Sequence, residues 1–522
     1  MSDSKVLIWR ATRGAVADEK VGGAGPSWSV LPFERYMIED DTAEYPMTFS
    51  INWEVHGQLD LDLLGKALLE VLEHHPLLNA YLGQEAGGKL VWKDRCVETG
   101  GSADAGGIPP FVWEETPERD WQRLDLSREG PLRVIWEKVV ANSDDETEGR
   151  HAGGRLIFVF HHAASDGIGS LEFCGDVFYA YLQHWKASQR ALGGVTEALH
   201  EQEKDKRVRI ADRELIIERS KLDRSVSGSV SNWEALRFTV LETVRFFLRR
   251  AVVLRAKRVG NRGETSVERT SSRGQVFCWP DLWGITLSRH ETDVLRRGAE
   301  NRGATLNELV TAVLMEVVNE VVEPTAGRKR KGWLAVLVPI NMRVRQRRRL
   351  PACNAIGYAF LKRARRDVAG WKADLPGIVA ELRAIQSWKI GGMFLDALAK
   401  QEAWPRWMRS VVKRVVRPAT FVFSFVGDPV RRFAHRLPMH DGGLVLGEAT
   451  ISHMAAAPPP RPGTEVAILG SLFGQQLTLW CRPSGVAFPG NSFAEVRLRI
   501  ADRLQEVINE IQVEPMVSGG DF

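Results

Sequence analysis

Continuous apolar runs alternate with amphipathic stretches along most of this chain, and together they predict a mixed α/β protein. Leu156-Ile157-Phe158-Val159-Phe160 contains no polar position and is rich in strand formers, so it predicts a strand buried on both faces. Trp333-Leu334-Ala335-Val336-Leu337-Val338-Pro339 predicts another. Ser50-Ile51-Asn52-Trp53-Glu54-Val55 alternates as a half-buried strand does, and Thr286-Leu287-Ser288 reads as a strand before a helix to about Asn301. Leu64, Leu68, Val71 and Leu72 keep helical spacing in a helix that opens at Leu61 and is ended by Pro76. His74 and His75 then sit at its C-terminal end, where polar or cationic groups are favourable. A helical pattern runs from about Ser170 to Trp185. Thr305-Leu306-Asn307-Glu308 forms a capping box before the apolar run Leu309 to Val322, and an amphipathic helix starts near Ser492.

The same pattern divides the chain. At 522 residues it is too long for one ordinary domain. Residues 1–30 look loosely structured, with Gly22-Gly23-Ala24-Gly25-Pro26 as a break, and residues 31–200 read as the first α/β half. Residues 201–270 open with a charged stretch and continue as a basic amphipathic linker. Residues 271–522 form the second half.

Composition narrows the class. Hydrophobic residues make up 44% and charged residues 26%, the balance of a water-soluble globular protein, and the net charge of +4 does not argue for nucleic acid. Arg328 to Lys331, Arg343 to Arg349, and Lys362-Arg363 with Arg365-Arg366 are basic clusters. Each suits a phosphate or an acidic partner, or is simply a solvated loop, and no base-stacking or groove-reading motif accompanies them. The five cysteines (Cys96, Cys174, Cys278, Cys353 and Cys481) are scattered, as free thiols in a reducing compartment are, and none has zinc-ribbon spacing. The N-terminus lacks a signal-peptide core and no segment has the length of a spanning helix, so a cytoplasmic location is expected. Trp233 to Val259 and Trp404 to Val416 mix arginines with tryptophan and aliphatic residues. Such segments fit peripheral contact with a membrane, a lid over an acyl channel, or a packed helix with snorkelling arginines.

The chemistry concentrates in His161-His162-Ala163-Ala164-Ser165-Asp166-Gly167, which follows the buried strand and breaks it with turn residues. The residues alone leave three readings open: a general base at a strand end, a metal site, or two buried histidines satisfied by hydrogen bonds. Neighbouring strand residues point to opposite faces, which disfavours convergence of both imidazoles on one ion. A buried Asp166 needs a cationic partner, and Arg343, just after the second buried strand, is the best placed; otherwise it opens a basic loop with Arg345, Arg347, Arg348 and Arg349.

The motif resembles that of the CoA-dependent acyltransferase superfamily, which includes chloramphenicol acetyltransferase, peptide-synthetase condensation domains, wax ester synthases and polyketide-associated acyltransferases. Val338-Pro339-Ile340-Asn341-Met342-Arg343 resembles its Pro-x-Asn-x-Arg segment, Asn354-Ala355-Ile356-Gly357 its following strand start, and Phe423-Ser424-Phe425-Val426-Gly427 its Ser-Asn-x-Gly segment, with Phe425 in place of the asparagine. The resemblance covers about Leu31 to Val507. It implies an α/β fold of two chloramphenicol acetyltransferase-like halves, each a mixed sheet with helices, meeting at a substrate tunnel. It implies catalysis by His162 with Asp166 as its mainly structural companion. His161, Gly167, Arg343 and Ser424 would support them, and Asn341, Asn354, Gly357 and Gly427 would lie near substrate. The implied donor is an acyl-CoA or a phosphopantetheine thioester on a carrier protein, the acceptor an alcohol or amine. No metal or resident cofactor is implied, and no nucleic acid. A binding protein that retains the fold without turnover is the reading of another class.

Overall fold

The computed structural model describes residues 6–11, 26–85, 87–95, 111–115, 123–139, 153–191, 211–221, 251–256, 282–322, 331–343, 349–388, 390–401, 404–405 and 419–514. In chain order the first elements are β1 (Val6–Ala11), β2 (Ser27–Ser29), α1 (Pro32–Asp40), β3 (Thr48–His56), α2 (Leu61–His74), β4 (Ala80–Gln84) and β5 (Leu90–Asp94). Then come β6 (Phe111–Glu115), β7 (Leu132–Val139), β8 (Gly153–His161) and α3 (Gly167–Ala191). The later elements are β9 (Trp283–Thr286), α4 (Arg289–Glu300), α5 (Leu306–Val321), β10 (Trp333–Asn341), β11 (Ile356–Ala364), α6 (Trp371–Ser387) and α7 (Ile390–Gln401). After these follow β12 (Phe421–Gly427), α8 (Pro429–Phe433), β13 (Met439–His440), β14 (Gly443–Leu446), β15 (Ala449–Ala457), β16 (Val466–Phe473), β17 (Gln476–Pro483) and α9 (Ala494–Val513).

The chain divides into two compact units, and neither is contiguous in sequence. The first comprises residues 1–222, 343–355 and 428–456; the second comprises 223–342, 356–427 and 457–522. The uninterrupted second half expected over 271–522 is therefore corrected. β13, β14 and most of β15 belong to the first unit, where they extend an eight-stranded sheet in the order β13-β14-β15-β3-β8-β7-β1-β6. The physical reason is strand pairing: a strand in the middle of a sheet needs partners on both edges, and β15 supplies one for β3. Within the N-terminal stretch expected to be loose, residues 1–5 and 12–25 lie outside the described residues, but a strand is present. Val6–Ala11 pairs with both β6 and β7, and Val6, Ile8 and Trp9 are buried.

In the first unit β3 and β8 pair over nine positions, from Thr48 opposite His161 to His56 opposite Gly153. Phe49, Phe160 and Phe158 lie on one face, where Phe49 stacks on Phe160 at 5.4 Å and the other two meet the long helix α3. The Phe158 and Phe160 rings sit edge-on to Phe173 at 6.2 and 6.0 Å, and Trp53 sits edge-on to Phe178 at 5.2 Å. These aromatic layers, with large buried area and edge-to-face geometry, fix the strand end that carries the histidines. In the second unit a six-stranded mixed sheet runs β11-β10-β12-β16-β17-β9, with β12 parallel to both neighbours. The capping box before α5 is formed as the sequence predicts, Thr305 and Glu308 each bonding the other's backbone N–H.

Candidate active site

The first unit brings His161, His162, Asp166, Gly167, Arg343 and Asn354 together. β8 ends at His161, the turn runs through Asp166, and α3 starts at Gly167. Asp166 caps that helix: its Oδ1 accepts from the Gly169 N–H at 2.8 Å. The same oxygen accepts from an Arg343 guanidinium nitrogen at 2.9 Å, and Oδ2 accepts from the Ala355 N–H at 2.8 Å. Asp166 is buried and Arg343 nearly so, with side-chain exposures of 1% and 17%. Burial works against the Arg343 charge, yet the Asp166 carboxylate beside it holds the guanidinium above its ordinary pKa. An aspartate engaged by one cation and two N–H groups is a structural anchor and has no role left as a metal ligand or a base.

Residues 349–355 form a strap across the motif. Cys353 offers its carbonyl to Arg343 at 3.2 Å and to the Asp166 N–H at 3.4 Å. Asn354 Nδ2 donates to the carbonyls of His162 and Ala163 at 2.6 and 2.8 Å. The Asn354 amide nitrogen thus holds the motif's backbone. Gly169 lies beneath this crossing. A Cβ there would come within 2.9 Å of Ser165 Oγ, 3.0 Å of Arg343 and 3.2 Å of the Cys353 nitrogen, so only glycine lets helix, strap and guanidinium meet.

The two histidines have different neighbours. His161 is fully buried; its Nδ1 accepts from the Ala163 N–H at 3.1 Å, and Nε2 lies 3.8 Å from Asp41. Burial would raise the Asp41 pKa, but His161, the Met47 N–H and Arg123 hold it below the usual carboxylate value. His162 is half-buried, with its ring edge-on to Phe49 at 5.2 Å. Its N–H donates to the Met47 carbonyl at 2.7 Å and its own carbonyl accepts from Asn354, so the backbone that carries the imidazole is held on both sides.

The remaining predicted site residues lie in the second unit. Asn341 is the exposed last residue of β10. Ser424, on β12, is half-buried, and Gly427 ends that strand with φ of +75°. Phe425 packs on Phe423 at 6.5 Å and over Gly470. Gly357, on β11, is a packing residue: its Cβ position is 2.2 Å from the Gly391 carbonyl oxygen of α7. Gly357→Ala should cost about 1–3 kcal/mol by forcing α7 away, read as a lowered urea midpoint at unchanged slope.

Other groups are disposed of by their surroundings. Burial pushes the Cys353 and Cys481 thiols up to about 12 and raises Cys174 further, so none of these free thiols is a ready nucleophile. Cys96 and Cys278 lie outside the described residues. Of the basic clusters, Arg365 is buried and bonded to Asn319 at 3.1 Å, Arg363 pairs with Glu381, and Arg349 turns inward to Asp176. They serve packing, which their sequence spacing did not reveal. Most of 328–331, 344–348, Trp233–Val259 and Trp404–Val416 lies outside the described residues. Among the described residues no helix is long and apolar enough to cross a membrane.

The whole chain superposes on several solved structures. The first condensation domain of the calcium-dependent antibiotic synthetase matches with a TM-score of 0.58 at 13% identity, over 93% of this chain and 97% of that one. The fold is that of a condensation domain. Trichothecene 15-O-acetyltransferase of Fusarium sporotrichioides matches with a TM-score of 0.58 at 11% identity, covering 95% of this chain and 96% of that one. Polyketide synthase associated protein 5 of Mycobacterium tuberculosis matches with a TM-score of 0.51 at 15% identity, covering 92% and 100%. No family model matches the sequence, and no curated protein matches it. These solved structures and this chain therefore share an architecture that sequence comparison does not register.

Proposed function

We propose that this protein is an acyltransferase that moves an acyl group from a thioester to a hydroxyl or amine, with His162 as general base. The observation that carries the reading is the half-buried His162 imidazole on a backbone bonded at both its N–H and its carbonyl, behind which Asp166 and Arg343 close a buried ion pair. A base held in this way needs no nucleophile on the enzyme. Neutral His162 takes the proton of the acceptor as its oxygen or nitrogen attacks the thioester carbonyl. The tetrahedral intermediate then collapses, the carbon–sulfur bond breaks, and the imidazolium gives its proton to the departing thiolate. The acyl-CoA or phosphopantetheine arm is a substrate and no resident cofactor is involved.

A lipid-like acyl group with an alcohol acceptor is the leading assignment, from the amphipathic basic segments of the sequence. The second reading is amide or ester formation from a carrier-bound acyl group, which the resemblance to a condensation domain supports. A panel of acyl-CoAs of graded length and acyl-phosphopantetheinyl carrier protein, each with pooled alcohols and amines, separates the two. Esters formed from long-chain acyl-CoA, identified by mass spectrometry, are the expected product. Amides formed only from the carrier-bound donor would replace the first reading with the second. A fold-only binding protein would give no product with either.

A further inference from the structure

α2 ends at His74, and His75 follows as a fully buried residue. The sequence placed it at a helix end; the structure places it in the middle of a network that reaches the motif. Its Nδ1 accepts from the Ala352 N–H at 2.9 Å, and its Nε2 lies 3.0 Å from Asp176 Oδ2 on α3. A ring nitrogen that accepts an N–H carries no proton, so His75 is neutral, with its proton on Nε2 donated to Asp176. Its ring is fixed edge-on to Phe173 at 5.1 Å.

The strap residue that His75 holds is next to those that hold the motif. Cys353 bonds Arg343 and Asp166, Asn354 bonds the His162 and Ala163 carbonyls, and Ala355 bonds Asp166. We propose that His75 is a positioning residue for His162, acting through Ala352 and the strap to set where the His162 backbone, and hence its imidazole, stands. This rests on the acyl-transfer reading above.

The surroundings explain why a histidine does this work in a neutral form. Asp176 is charged, but Arg349 from the strap and Arg436 both pair with it. Glu172 in turn lies 3.1–3.3 Å from Arg349, Arg432 and Arg436. Burial would raise the Asp176 pKa, yet His75 and the two arginines hold it down to about 2. Burial lowers the His75 pKa, and Arg349 and His74 lower it further against the pull of Asp176. Protonation would put a donor on Nδ1 facing the Ala352 donor and break the contact with the strap.

Two variants split the function of the ring. His75→Asn places an acceptor near the Nδ1 position and keeps the bond from Ala352; His75→Gln reaches toward Asp176 and leaves the Ala352 N–H without a partner. His75→Gln should lower kcat by about ten- to a hundredfold at unchanged KM, whereas His75→Asn should stay within about threefold of wild type at a similar melting temperature. The rate of carbethoxylation of His162 should shift in His75→Gln and not in His75→Asn, and this readout needs no substrate. Nitrogen NMR of the wild type should show His75 Nδ1 unprotonated at neutral pH. Equal losses of kcat in both variants, matching their losses of stability, would overturn the proposal, as would a protonated Nδ1. If no donor turns over in wild type while carbethoxylation separates the variants, the acyl-transfer reading fails and the positioning of His162 stands.

Discussion

Replacing His162 by alanine should lower acceptor-dependent thiol release by about 10²- to 10⁴-fold, the usual contribution of a positioned acid–base group. The protein should stay folded. Alanine keeps the His162 N–H and carbonyl, which bond Met47 and Asn354. The ring's edge-on contact with Phe49 is lost, which costs on the order of 1 kcal/mol. KM for the donor should change little, since the imidazole acts on the acceptor's proton and contributes little to ground-state binding. Steady-state kinetics beside a melting curve check both halves. A variant that loses less than tenfold would mean that the proton leaves by another route.

The second large effect concerns stability. Arg343→Ala leaves the Asp166 carboxylate buried with, among the described residues, only the Gly169 and Ala355 N–H groups for partners. Breaking a buried pair from one side costs about 3–5 kcal/mol, because the remaining charge has lost its compensation. The two N–H bonds and the 17% exposure of Arg343 place the expected cost near the lower end, about 3 kcal/mol. It should appear as a fall in the urea midpoint, and the Asp166→Ala, Arg343→Ala double variant should cost clearly less than the sum of the singles. A single-variant cost below about 1 kcal/mol would mean that the pair is not closed in solution. Activity should fall with Arg343→Ala even where the protein is folded, since the strap then loses its bond from Arg343 to the Cys353 carbonyl.

Much of this architecture was legible in the sequence because the signals are local. The apolar run Leu156–Phe160, the capping box at Thr305 and Glu308, and the proline after α2 each act within a few residues. The need of a buried Asp166 for a cation was legible too, and its partner Arg343, 177 positions away, was the best placed candidate and the one the resemblance implied. What stayed hidden depends on long-range partners with no local signature. His75 reads as a helix-end residue until Asp176 and Ala352, 101 and 277 positions away, are seen beside it. The Gly391 backbone against Gly357 and the two carbonyls on the Asn354 amide likewise have no local signature. Val6–Ala11 is a short apolar run without turn signals, and its two sheet neighbours come from beyond residue 110. The contribution of residues 343–355 and 428–456 to the first unit likewise follows from pairing across the fold.

The central claim is that His162 moves a proton during direct acyl transfer. The measurement that tests it most directly is thiol release from the preferred thioester, with and without acceptor, by wild type beside folded His162→Ala. Release should require acceptor and fall by about 10²-fold or more in the variant. Release that proceeds at the same rate without acceptor, or that survives the substitution, would contradict it.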